Sequence, residues 1–270
     1  MLWSASVING YSIAASDGRL GGVSDFLFDD GTWRIRWLVV DTGKWLSGRK
    51  VLLPPAILGR IDPEKREFSV KLTMQQVRDS PAIDTDRPVS RQLETNIYDY
   101  YGWSPYWGNG LFTNGYGYVG DPVGGNPFVL SQHPQPPPDD PQRDDGDPHL
   151  RSAEEVNGYH IHASDGEIGH VAGFLLEDAD WSVRYLIADT RNWWPGKKVL
   201  ISPRSVCEIE WGKKLARLDV DRQKVKDSPT YDASTIVDRA YDEHFHNYYS
   251  HRREDARRDD RLRPPSGVGK

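Results

Sequence analysis

The chain is poor in the residue types that mark several functional classes. One cysteine, Cys207, in 270 residues leaves no partner for an intrachain disulfide and rules out a cysteine-rich zinc or iron–sulfur site, so a reducing, cytoplasmic location is expected. No apolar run approaches 18 residues, and residues 1–9 lack the basic segment and apolar stretch of a secretory signal, so no transmembrane segment is expected and peripheral membrane contact stays open. Basic charge is not in excess: 34 Lys and Arg stand against 40 Asp and Glu, a net charge of −6. That balance gives no strong nucleic-acid signal. No nucleophile and base, and no phosphate loop, lie at a usable spacing, so the chain is expected not to be an enzyme. Gly115-Tyr116-Gly117-Tyr118 lacks a flanking strand and helix and is not a nucleotide loop.

What is present is a repeat. Asn9-Gly10-Tyr11, Ala15-Ser16-Asp17-Gly18, Phe26, Trp33 and Asp41-Thr42 recur as Asn157-Gly158-Tyr159, Ala163-Ser164-Asp165-Gly166, Phe174, Trp181 and Asp189-Thr190. The shift is constant, since 157 − 9, 165 − 17 and 189 − 41 each give 148. About 30 of roughly 76 aligned positions are identical, which reads as a duplicated domain.

Within each copy, Tyr11 to Ala15 predicts a short strand ended by Ser16-Asp17-Gly18, with the aspartate holding its own turn and the glycine supplying a positive φ. Trp33, Ile35, Trp37 and Val39 alternate with Arg34, Arg36, Leu38 and Val40, which predicts a strand with one dry and one partly wet face. Lys50 to Leu53 is a further strand that Pro54-Pro55 stops. Strands over 57–61 and 67–72 follow. Thr73 then caps a short helix ended by Ser80-Pro81. Second helices are predicted over 90–101 and 234–249. The aromatic residues of each copy are expected to build its core, giving two cores in all.

Composition divides the rest. The expected organisation is a first β domain with a C-terminal helix over 1–108, a flexible Gly/Pro-rich linker over 109–152, a second such domain over 153–250 and a charged, disordered tail over 251–270.

Short strands with close turns and a small helix predict a mainly β fold made of two tandem small barrels. The pattern resembles the PRC-barrel family. The resemblance is carried by Ser16-Asp17-Gly18-Arg19-Leu20-Gly21, Phe26-Leu27-Phe28-Asp29-Asp30, Arg36-Trp37-Leu38-Val39-Val40-Asp41-Thr42, Lys50-Val51-Leu52-Leu53-Pro54 and Tyr98-Asp99-Tyr100-Tyr101-Gly102-Trp103. It covers roughly residues 7–107 and 155–249. That family includes the cytoplasmic domain of a photosynthetic reaction-centre protein and a domain of a ribosome maturation factor, both of which hold partners. The resemblance therefore implies a binding module without catalytic residues.

The chemistry-bearing residues have plainer roles open to them. His160 and His162 alternate on one strand near Asp165 and Glu167, but no third ligand has a diagnostic spacing. His244, His246 and His251 form a second loose group. Neither group calls for a metal, and no cofactor is expected. Asp41 and Asp189, each before a threonine, read as turn caps, and Cys207 as a small buried side chain. The best candidates for a partner are the loops Trp45 to Lys50 and Trp193 to Lys198, which place aromatics beside cations through Trp45, Arg49, Lys50, Trp193, Trp194, Lys197 and Lys198. Trp103, Tyr106 and Trp107 add a second aromatic group. The leading expectation is an adapter whose two barrels bind protein partners or pack on each other as a pseudo-dimer; whether they pair within the chain or between chains is left open, and if they pair, equivalent surfaces meet. The alternatives are an RNA- or ribosome-assembly-associated protein and a peripheral photosynthetic or membrane-complex assembly factor.

Overall fold

The computed structural model describes residues 1–46, 48–81, 91–102, 147–190, 197–228 and 230–231. The first half runs β1 (Leu2–Ser4), α1 (Ala5–Ile8), β2 (Ser12–Ala15), β3 (Gly18–Asp29), β4 (Arg34–Asp41), β5 (Lys50–Leu53), β6 (Leu58–Asp62), β7 (Glu67–Val70), α2 (Met74–Arg78) and α3 (Arg91–Tyr101). The second runs β8 (Leu150–Ser152), α4 (Ala153–Val156), β9 (His160–Ala163), β10 (Gly166–Glu177), β11 (Ser182–Asp189), β12 (Lys198–Ile201), β13 (Val206–Glu210), β14 (Leu215–Leu218) and α5 (Arg222–Lys226). The fold is mainly β, and among the described residues every strand and every α-helix but α3 has a counterpart 148 residues away. The helix expected over 234–249, the tail over 251–270, and Trp103, Tyr106 and Trp107 lie outside the described residues.

Turn and cap chemistry set the local structure. Asp17 acts at longer range than the turn role expected of it: its carboxylate accepts the backbone N–H of Met74 at 2.8 Å, at the start of α2. Asp165 does the same for Arg222 at 2.8 Å. Each turn between the second and third strands of its half therefore seats the short helix that closes that half. Thr73 and Gln76 complete a capping box at α2, as the sequence suggests.

The two halves join through their first strands. β1 does not pair in its own half; Leu2, Trp3 and Ser4 lie opposite Glu177, Leu176 and Leu175 of β10. Reciprocally, Leu150, Arg151 and Ser152 of β8 lie opposite Asp29, Phe28 and Leu27 of β3. Residues 150–152, which composition assigns to a linker, are therefore built into the first half's sheet. At the centre Arg34 of β4 faces Ser182 of β11. The Ile35 and Val183 N–H groups there donate to the Trp181 and Trp33 carbonyls at 2.8 and 2.7 Å.

The expectation of two separate cores is corrected. One continuous cluster of buried side chains takes Ile13, Phe26, Phe28 and Phe68 from the first half and Ile161, Phe174, Leu186 and Ile201 from the second. Phe28 lies 5.4 Å from Phe174, and Trp181 lies 6.0 Å from Phe68 in the opposite half. Trp33 and Trp181 are in turns with positive φ, 58° and 52°, rather than in strands. Both pack against the shared cluster.

The alternation along β4 is also corrected. Leu27 pairs with Trp37 but Phe28 pairs with Ile35, so a bulge inserts Arg36. A bulge changes which face the following residues occupy. Ile35, Leu38 and Val40 join the shared cluster, whereas Trp37 and Val39 turn to the other face with Leu27, Leu52, Ile97 and Tyr98. Both faces of β4 are dry, and Arg36 itself is buried.

Candidate interaction surface

The bulge at Arg36 creates a buried polar centre. Arg36 Nη1 donates to Asp147 at 2.9 Å and to Asp29 at 3.3 Å. Arg36 Nη2 donates to Asp147 at 3.0 Å and also to Glu94. Trp37 Nε1 donates to the other Glu94 oxygen at 2.5 Å. Glu94 comes from α3 and Asp147 from the entry to β8, so one guanidinium ties α3 and β8 to the first half. Only arginine offers several donors in one plane to reach so many carboxylate oxygens. Burial, reinforced by the Glu94 charge, pushes the Tyr98 hydroxyl up to about 12, and its ring lies 5.0 Å from Trp37. Tight packing and dense hydrogen bonding make this centre a structural clamp.

The loops singled out by sequence divide into internal and exposed parts. Trp45 is half-buried and packs on the shared cluster, with the Arg78 guanidinium 5.7 Å over its ring. Arg49 donates to the carbonyls of Arg78, at 3.1 Å, and Ser80, fastening the loop to the end of α2. Lys50 is half-buried in β5. Trp193 and Trp194 lie outside the described residues, while Lys197 and Lys198 are exposed. Asp41 accepts Gly43 N–H at 2.7 Å, and the Thr42 and Thr190 hydroxyls donate to the Arg49 and Lys197 carbonyls at 2.6 and 2.8 Å. This is the turn-cap role expected of Asp41-Thr42, and Thr190 holds the equivalent turn in the second half.

One aromatic that sequence reasoning passes over is more exposed than Trp45. Trp211 is 44% exposed at the β13–β14 hairpin, followed by exposed Gly212, Lys213 and Lys214. The Arg151 guanidinium, held by Asp30 at 2.8 Å, lies 5.9 Å over its ring. A signal for it exists: Trp211-Gly212-Lys213-Lys214 repeats the chemistry of Trp194-Pro195-Gly196-Lys197-Lys198. Cys207 is corrected from buried to exposed; its thiol donates to the Arg217 carbonyl at 3.3 Å. His160 sits 2.9 Å from Glu167, and among the described residues no group of three or more metal-ligating side chains is placed to hold an ion. His244, His246 and His251 lie outside the described residues.

The junction is asymmetric at Asp25, whose counterpart 148 residues later is Gly173. Asp25 accepts the Ser152 hydroxyl at 2.5 Å and the Glu154 N–H at 3.0 Å, so it caps α4 across the junction. Burial raises its carboxyl above the usual carboxylate range, outweighing these donors. For an acid whose native value is raised, the stability present below the unfolded value, about 3.9, is lost as pH rises through the native one. The stability of the natural chain minus that of Asp25→Asn should therefore fall as pH rises from about 4, read from denaturant midpoints. A difference that grows with pH would contradict this.

No described helix is long and apolar enough to cross a membrane. In comparison with known proteins, the PRC-barrel domain family matches residues 4–74. An uncharacterized protein of Deinococcus radiodurans is 36% identical over 75 residues. That match takes in 28% of this chain and 27% of the relative, so the chain spans about a quarter of the length of the curated relative it matches.

Proposed function

Because residues 4–74 are a PRC-barrel domain, we propose that the chain is a non-catalytic protein-interaction adapter in which two such barrels pair within one chain. The reciprocal exchange of β1 and β8 carries the reading. It locks two repeats into one body with a filled interior, so recognition falls to the outer surface. There the unlike loops, such as Trp211-Gly212-Lys213-Lys214 against Pro63-Glu64-Lys65-Arg66, make the two ends different.

The test is photo-crosslinking of the full chain in its native cells, with a photoreactive residue replacing Lys213 beside Trp211. Discrete protein adducts that Trp211→Ser reduces several-fold are the expected result. The same substitution should change stability by no more than about 0.5 kcal/mol, because the site is exposed. Adducts with RNA in place of protein, or none at all, would overturn the reading.

A further inference from the structure

The second half carries a face that corresponds residue for residue to the seat of α3. In the first half α3 lies on Leu27, Trp37, Val39 and Leu52, with Ile97 and Tyr98 in the same cluster. The residues 148 positions later, Leu175, Tyr185, Ile187 and Leu200, form a cluster of their own. All four are at most 4% exposed. Among the described residues, Leu2, Ala172 and Tyr231 pack on its margin. The chain is led there: Thr230 bridges Val199 and the Tyr231 N–H donates to the Lys198 carbonyl at 2.8 Å.

We propose that this face is an acceptor for an aromatic, amphipathic helix, and that residues 241–249 of the same chain are its occupant. Phe245 and Tyr249 stand at the positions of Ile97 and Tyr101, and Asp242 at that of Glu94. The groups that Glu94 meets, Arg36 and Trp37, have Arg184 and Tyr185 as counterparts. In that helix a carboxylate at 242 would take the place facing the guanidinium at 184, and residues 245 and 249, four apart, would share the face over the apolar seat. The clamp differs between the halves. Arg36 is buried among three carboxylates, whereas the Arg184 side chain is 38% exposed and lies 4.0 Å from Glu177.

The full chain with Cys207→Ser, Ile187→Cys and Phe245→Cys tests this with a short bis-maleimide, using Val39→Cys with Ile97→Cys as the reference pair. Crosslinking within one chain, at a rate within about tenfold of the reference pair, is expected. In separate variants, Arg184→Glu should speed hydrogen exchange at Leu200, and adding Asp242→Lys should restore protection. Crosslinks only between chains would make a second copy the occupant. No crosslink, while the reference pair closes, would leave the face to another segment. Either result overturns the proposal, as does equal exchange in the single and double variants.

Discussion

Arg36→Met is expected to destabilise the chain by about 3–5 kcal/mol, because it removes the cation from a buried centre and leaves its carboxylates uncompensated. The Arg36 side chain is 3% exposed, Glu94 0% and Asp147 2%, so water cannot take the place of the guanidinium. Asp29 is less affected, since its second oxygen accepts from the Gly31 and Thr32 N–H groups and the Thr32 hydroxyl. The pH dependence of the variant identifies the cause. Without Arg36 the buried carboxyls bind protons more tightly in the folded chain than in the unfolded one. The variant's deficit should then shrink as pH falls from about 7 toward 4. Arg36→Lys should fall between the two, because one ammonium cannot serve three carboxylates in separate directions. Adding Glu94→Gln to Arg36→Met should cost less than the sum of the single changes, as partners in one network require. Denaturant unfolding measures all of these variants. A deficit below about 1 kcal/mol for Arg36→Met, or one that does not change with pH, would show that the centre does not act through charge.

Gly21→Ala and Gly169→Ala carry the second large effect, expected at about 3 kcal/mol or more. At these positions φ is +156° and +137°, and an added Cβ would lie 2.0 Å from the backbone oxygen of Asp41 or Asp189. The obstacle is main chain at the end of a paired strand, which cannot rotate away. Gly10→Ala is the internal comparison: its φ is +81°, but nothing lies within 4 Å of the added carbon. It should cost only the backbone term, about 1–2 kcal/mol. Equal losses at Gly10 and Gly21 would mean that the close approach to Asp41 does not matter. The clash also has a local consequence, since Asp41 and Thr42 hold the turn that positions Trp45 and Arg49.

Sequence discloses what depends on neighbouring residues. The positions of the strands, the Thr73 cap and the Asp41-Thr42 turn follow from apolar patterning and short-range hydrogen bonding and are found where expected, although the bulge at Arg36 breaks the alternation along β4. It is silent where the determining contact is distant. Three residues of β1 have no periodicity to read, and their partner lies in the other half. The bulge at Arg36 shows only as a basic residue in an apolar strand, which alternation assigns to solvent; its neutralising groups come from residues 94 and 147. The aromatic loops read as exposed because tryptophan beside arginine is common to interfaces and to cores. Arg49 decides between them, by reaching the carbonyls that end α2. Trp211 escapes notice because its partner cation, Arg151, belongs to a segment that composition makes a linker.

The exchanged first strand has a consequence for how the chain is made. Leu2 pairs with Glu177, so during synthesis β1 waits for a partner 177 − 2 = 175 residues behind it. At synthesis rates of about 5–20 residues per second, that wait is roughly 10–35 s. Until β8 follows at residues 150–152 the β3 edge that it covers is also open, and the shared core is half built. The first half thus emerges as an incomplete unit with an unclaimed strand and an apolar surface. Nascent chains stalled before residue 177 should be protease-sensitive at residues 1–8, and protection there should arise only once β10 has been synthesised and released.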